Sequence, residues 1–232
     1  MQLIQNNKGV TLVELMIVLV LSLLLMAAVY LTYQLQQASA QSQTQVVATQ
    51  QDLRAAMDII SVDIMNSGAN PDYSVTKQQI QGIANTTQAT NGVVNTSGIG
   101  GTSSNATTGL ELVMDLNGNG TTNGPTDIGE DVIYSLQPTS PTEANLIRTC
   151  VNPSGNITQV LVDNVTKLTF TYFDSTYTSI GPAGTLTNAQ AQSVKFIRVD
   201  ITKNSDQVDP QTHQYVTRHL QRTICIRNGY QS

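Results

Sequence analysis

The chain has 232 residues, 40% of them hydrophobic and 12% charged, with no Trp and a net charge of −5. Its length suits one domain plus an extended helix, and its charged share is about half the roughly 25% of average usage. An acidic balance argues against nucleic acid as the main partner, and the Ser, Thr, Asn and Gln that replace the charges suit a secreted β-rich domain.

In chain order, the first signal is an apolar run from Val10 to Tyr33, preceded by Lys8 and Gly9. A helix needs roughly 20 apolar residues to cross a bilayer core, so this run is long enough. Its one charge is Glu14. A carboxylate inside a membrane is costly unless it meets a partner, which makes it a functional candidate. A secretory signal is cut after its apolar region, whereas Lys8-Gly9 stands before it. A cut after Gly9 keeps the helix on the mature chain and frees an α-amine on Val10. That amine and the Glu14 carboxylate of a neighbouring copy can neutralise each other. The cut removes Lys8 and no acid, taking the net charge from −5 to −6. The alternative is an ordinary signal anchor with a stray Glu.

The residues K-G-V-T-L-V-E resemble the prepilin leader of the type IV pilin and type II secretion pseudopilin superfamily. The resemblance implies cleavage by prepilin peptidase between Gly9 and Val10, N-methylation of Val10, and a filament-assembly role for Glu14. The family usually has Phe where this chain has Val10. It also implies other pilin or pseudopilin subunits, prepilin peptidase and an inner-membrane assembly platform as partners; the sequence has no nucleotide-binding loop, so energy for assembly would come from a separate ATPase.

Lys8 is the only charge before the run and places the N-terminus in the cytoplasm. The chain would then start as a single-pass inner-membrane protein with a periplasmic C-terminal domain, and pass into a pilus or pseudopilus filament.

Residues 34–45 are polar but hold no Gly or Pro. Val46, Leu53, Met57, Ile60 and Ile64 then recur at helical spacing, and Ser67-Gly68 and Asn70-Pro71 stop the pattern. One helix from Val10 to Asn66, roughly 85 Å long, is expected, with 10–33 in the membrane or filament core and 34–67 as its amphipathic continuation. Two helices with a Gln-rich joint at 36–45 are the alternative. Residues 68–232 form the outer domain, in which the Ser/Thr/Asn/Gly tract 84–109 reads as a mobile loop.

Strand signals follow. Leu110, Leu112, Met114 and Leu116 alternate with polar or small neighbours. Asp131–Leu136 is a short run. Leu146–Val151 and Ile157–Val162 form a hairpin across P-S-G-N. Val165–Phe173 puts Leu168, Phe170 and Tyr172 on one face, residues 174–192 are a second polar loop, and Val194–Ile201 pairs with Tyr215–Ile226. A long helix followed by strands, with no later helical period, predicts an α+β fold with an antiparallel sheet laid on the helix.

Cys150 and Cys225, in an oxidising compartment, are expected to form one disulfide; two buried free thiols are the alternative. Asp115, Asn117 and Asn119 with Gly120 open like a calcium loop. The carbonyl of Thr121 would be a fourth donor, and Asp127, Glu130 or Asp131 would close the site. Calcium is the only cofactor suggested, and the alternative is an Asn-Gly turn. His213 and His219 have no nucleophile or ligand partner in the pattern and read as surface residues. No catalytic residue is identified.

The strand order with D-L-N-G-N-G, E-D-V-I-Y-S-L and D-N-V-T-K-L-T-F-T-Y-F-D is similar to W-type minor pilins and J-type minor pseudopilins. The expectation is a filament subunit rather than an enzyme. A minor type IV pilin acting in assembly initiation or at the tip leads; a minor pseudopilin of a type II secretion system and a membrane-anchored binding module that never polymerises are the alternatives.

Overall fold

The computed structural model describes residues 10–69, 90–91, 93–95, 109–122, 125–180, 184–185 and 188–227. Helix α1, Leu12–Asn66, is unbroken for 55 residues, about 82 Å at 1.5 Å per residue. No Gly or Pro interrupts it, and residues 36–45 continue it without a joint. It ends where expected: Ser67 N–H donates to Ile64, and Gly68 takes a φ of 74°, the left-handed conformation that glycine adopts freely past a helix end.

The strands are β1 Thr90–Asn91, β2 Val93–Asn95, β3 Leu110–Val113, β4 Asp131–Pro138, β5 Ala144–Cys150, β6 Ile157–Phe173, β7 Gly184–Thr185, β8 Phe196–Val208 and β9 Tyr215–Cys225. A short helix α2, Asn188–Ser193, precedes β8. The main sheet is antiparallel in the order β3-β4-β5-β6-β8-β9, with β2 also on β6, while β1 and β7 pair separately. The fold is therefore α+β, as the order of helix and strand signals predicts.

Several elements differ from the sequence reading. Residues 157–173 form one strand, not two. β6 pairs β5 through its first part and β8 from Val165 onward. It changes partners around Asn164, whose φ of 49° is tolerated best by Asn and Asp. The 174–192 tract contains β7 and α2, segments too short to show a period. β3 stops at Val113, and Leu116 lies beyond it with its side chain half exposed. Within 84–109, residues 90–91 and 93–95 are strands and Gly109 forms a bridge; the rest of that expected loop lies outside the described residues.

The core lies between α1 and one face of the sheet. Of the predicted stripe, Leu53, Met57, Ile60 and Ile64 are buried to 2% exposure or less, while Val46 is only partly buried. Full burial of such side chains contributes about 1.5–3 kcal/mol each. Facing them are alternate strand residues, among them Leu110 and Leu112, Tyr134, Phe170 and Ile197. Alternation along β8 buries Ile197, Val199, Ile201 and then Lys203.

Candidate functional site

Among the described residues, nothing packs over the apolar half of α1. Every large apolar side chain from Val10 to Leu35 is more than half exposed, and the helix is long and apolar enough to cross a membrane. The segment begins with a cap. Thr11 is extended, its Oγ1 accepts from the Glu14 N–H at 3.3 Å, and its carbonyl accepts from Leu15 N–H. T-x-x-E is the spelling of a capping box, a signal legible in the sequence that the periodicity argument passed over.

The cap puts Glu14 in the first helical turn, where the helix dipole favours a negative charge by about 0.3–1 kcal/mol. Glu14 is exposed and forms no ion pair among the described residues. Val10 is also exposed, at 72%. Gly9 and Lys8 lie outside the described residues. The carboxylate is thus presented outward at the head of a hydrophobic rod, open to a partner on another chain.

The second half of α1 is fastened to the sheet by polar contacts at successive heights. Ser42 bonds Asp209, Asp52 reaches Lys203 at 3.4 Å, and Asp58 and Ser61 receive Arg222 Nη1 at 2.6 and 3.2 Å. Near the helix end, Asp63 receives Tyr134 and Arg148. Lys203 Nζ is wholly buried and also meets Asp163 and Asp206. Burial alone would lower the Lys203 pKa, but the bonds to Asp163 and Asp206 outweigh it and raise it. Sequence reasoning missed Lys203, although its position continues the inward parity of Ile197, Val199 and Ile201.

The loop after β3 does not form the expected calcium shell, because the oxygens of Asn117 and Asn119 accept from the Asn119 and Thr121 N–H groups instead of turning to one point with Asp115. Asp115, Asp127 and Glu130 are buried to 2% exposure or less. Asp115 accepts from Gly118 and Gly120 N–H, and Glu130 Oε1 from Leu116 and Asn117 N–H, both at 2.9 Å. Asn117 and Asn119 send their amide nitrogens to Asp127 Oδ1 at 3.0 and 2.6 Å, while Thr121 Oγ1 donates to Asp127 Oδ2 at 2.5 Å. Asp131 does not join them. It starts β4, its repelling neighbour is Glu111, and burial followed by that neighbour pushes its pKa up to about 7. Among the described residues no group of three Asp, Glu, His or Cys side chains forms a ready metal shell.

The expected disulfide is absent. Cys150 is buried and Cys225 exposed, and both are free. Cys150 pairs with Ile157 at the start of β6, whereas Cys225 pairs with Phe196, which pairs with Phe173 at its end. Two strands, β6 and β8, separate their own strands. Three strand spacings of about 4.8 Å exceed the roughly 7 Å that a disulfide spans. His213 and His219 are exposed as expected, and His219 Nε2 lies 2.6 Å from Asp200.

The structure thus presents a bare apolar helix headed by one carboxylate, with a β-sheet domain fastened to its far half. Residues 4–30 match the family described as the prokaryotic N-terminal methylation motif, the signal of type IV pilins and pseudopilins. The chain carries a prepilin-type N-terminus, and its apolar helix and motif together support membrane anchoring and association with other pilin subunits and a prepilin peptidase. No curated protein matches the chain.

Proposed function

We propose that the chain is a minor type IV pilin, made as an inner-membrane precursor, cut between Gly9 and Val10, methylated on Val10, and incorporated at filament initiation or at the tip. The observation that carries this reading is Glu14. It is a lone carboxylate in the capped first turn of an exposed apolar helix. A charge in that setting is costly unless a partner neutralises it, and the α-amine of Val10 on a neighbouring subunit is of the right sign and depth. A monomeric anchor gains nothing from it. The W-type strand order favours a minor role; the same order is compatible with a J-type minor pseudopilin.

The test is Glu14→Val expressed beside the wild type. The variant stays in the membrane fraction, because removing a charge eases insertion, but is missing from sheared filaments. Equal incorporation of both forms refutes the assembly role. Mass spectrometry of the filament form should show an N-terminus V-T-L-V-E, and an intact Met1 in the presence of the peptidase would overturn the cleavage.

A further inference from the structure

β8 turns Ile197, Val199 and Ile201 into the core, so Phe196 and Arg198 stand on the opposite face of the sheet, away from α1. Register carries that face across three strands. Phe196 lies between Phe173 of β6 and Cys225 of β9, and Arg198 between Thr171 and Thr223. Arg198 Cζ sits 4.9 Å from the centre of the Phe173 ring, a cation–π contact. Tyr177 stacks on Phe196 with ring centres 4.2 Å apart and planes 19° from parallel, yet it is 62% exposed. A turn holds that ring in place. Tyr177 has a φ of 61°, a left-handed conformation costly for a bulky side chain, and strain of this kind concentrates at ligand sites. The Asp174 carboxylate clamps the turn, accepting from Thr176 and Thr178 N–H at 2.8 and 2.9 Å, while the Asp174 carbonyl accepts from Tyr177 N–H at 3.1 Å. Two positive groups border the rings. Neither Arg198 nor the exposed Arg227, two residues past Cys225, forms an ion pair among the described residues.

We infer that this face binds an anionic polysaccharide, with a sugar ring lying on the free face of Tyr177 and its carboxylate meeting Arg198 and Arg227. A sugar ring offers a flat C–H face to an aromatic ring and hydroxyl groups around its edge. The platform matches both demands: Phe196 backs one face of Tyr177 and leaves the other open, and Thr171 and Thr223 flank Arg198. The planar guanidinium of an Arg suits a carboxylate, which it meets with two parallel hydrogen bonds. A neutral sugar would leave both Arg charges unused. An apolar protein surface would strand the Arg and Thr groups without partners, which is costly. Single-stranded nucleic acid also stacks on exposed rings and follows positive charge, but it carries a phosphate on every nucleotide and would meet a chain of net charge −5, whose acidic balance opposes it.

The position of the platform leaves it accessible. β8 starts at Phe196 and ends at Val208, next to the Asp209 that bonds Ser42 on α1. Its 13 residues span about 40 Å at roughly 3.3 Å each. The rings therefore lie at the end of β8 remote from that contact, on the face that α1 does not cover. The inference is independent of filament assembly.

The test is equilibrium dialysis of the full-length chain in detergent against three labelled probes: an oligogalacturonate, its carboxyl-reduced neutral counterpart and an oligothymidylate. The expected result is that the oligogalacturonate binds tightest. Tyr177→Ala weakens it about tenfold by loss of stacking, and Tyr177→Phe binds as the wild type does. Arg198→Gln also weakens it about tenfold, by loss of a charged hydrogen bond, and narrows the preference for the charged over the neutral oligomer. Tyr215→Ala, at an exposed ring at the other end of the β8–β9 pair, leaves binding unchanged. The proposal is overturned if the wild type binds no oligogalacturonate up to millimolar concentration, or if the neutral oligomer or the oligothymidylate binds as tightly. It is equally overturned if Tyr177→Ala or Arg198→Gln binds as the wild type does, or if Tyr215→Ala weakens binding as much as they do; if Tyr177→Ala does not fold, Arg198→Gln decides alone.

Discussion

Asp63 on α1 and Arg148 on β5 stand 2.7 Å apart, Oδ2 to Nε, with side chains only 13% and 18% exposed. The same Asp63 oxygen accepts from Tyr134 Oη at 2.5 Å, and Arg148 sends Nη1 to Cys150 Sγ at 2.8 Å. Burial alone would lower the Arg148 pKa, yet the Asp63 bond holds it above the ordinary value. Tyr134 is raised as well, first by burial and then by the Asp63 charge. Both side chains therefore keep their protons and their bonds across the physiological range. The contact joins the upper end of the long helix to the β4–β5 side of the sheet, while Arg222 and Lys203 join it to β8 and β9. A load on the helix is thereby shared by both sides of the sheet.

Asp63→Ala leaves Arg148 and Tyr134 buried without their acceptor. Breaking such a pair from one side typically costs about 3–5 kcal/mol, and partial exposure places this site near the lower end. Urea unfolding of the sheet domain in the detergent-solubilised chain should show a midpoint lowered without a change in slope. The double variant Asp63→Leu, Arg148→Met should recover much of the loss, because no charge is then left unpaired. A single variant as stable as wild type would show that the contact contributes nothing.

Asp131 sets a pH dependence whose sign can be worked out. Its folded pKa is raised from 3.8 to about 7, first by burial and then by Glu111. Between those values the unfolded chain is ionised while the folded chain keeps the proton, so unfolding releases a proton. Stability from this group therefore falls as pH rises through that window. Asp131→Asn removes the slope. Its melting temperature should exceed that of the wild type at pH 8 and match it at about pH 2.5, where both states of the wild type are largely protonated. A difference that is equal at both pH values would exclude the mechanism.

The cysteines are separately testable. Cys225 is exposed on the outer strand and Cys150 is buried beside Arg148. A maleimide reagent should label Cys225 on the folded chain and Cys150 only after denaturant is added. Under non-reducing conditions the monomer should migrate as the reduced one does. Loss of both labels after unfolding without reductant would mean that the thiols are joined.

Local and one-dimensional properties of this protein were legible in its sequence. The apolar run, the stripe Leu53, Met57, Ile60 and Ile64, the Gly68 stop and the β5–β6 hairpin each depend on neighbours within a few turns or on a short period. Glu14 stood out because a carboxylate at the head of a long apolar run is costly in a membrane without a partner. What only the tertiary structure decided is which distant side chains meet. Cys150 and Cys225 looked paired by compartment and count, but strand order sets their separation, and no spacing in the sequence encodes it. Lys203 reads as a surface residue until the β8 alternation is laid against α1, where Asp52, Asp163 and Asp206 arrive from three different elements. Asp131 reads as a loop ligand beside Glu130, but strand alternation turns neighbouring side chains to opposite faces, and the start of β4 at Asp131 sends it toward Glu111 instead.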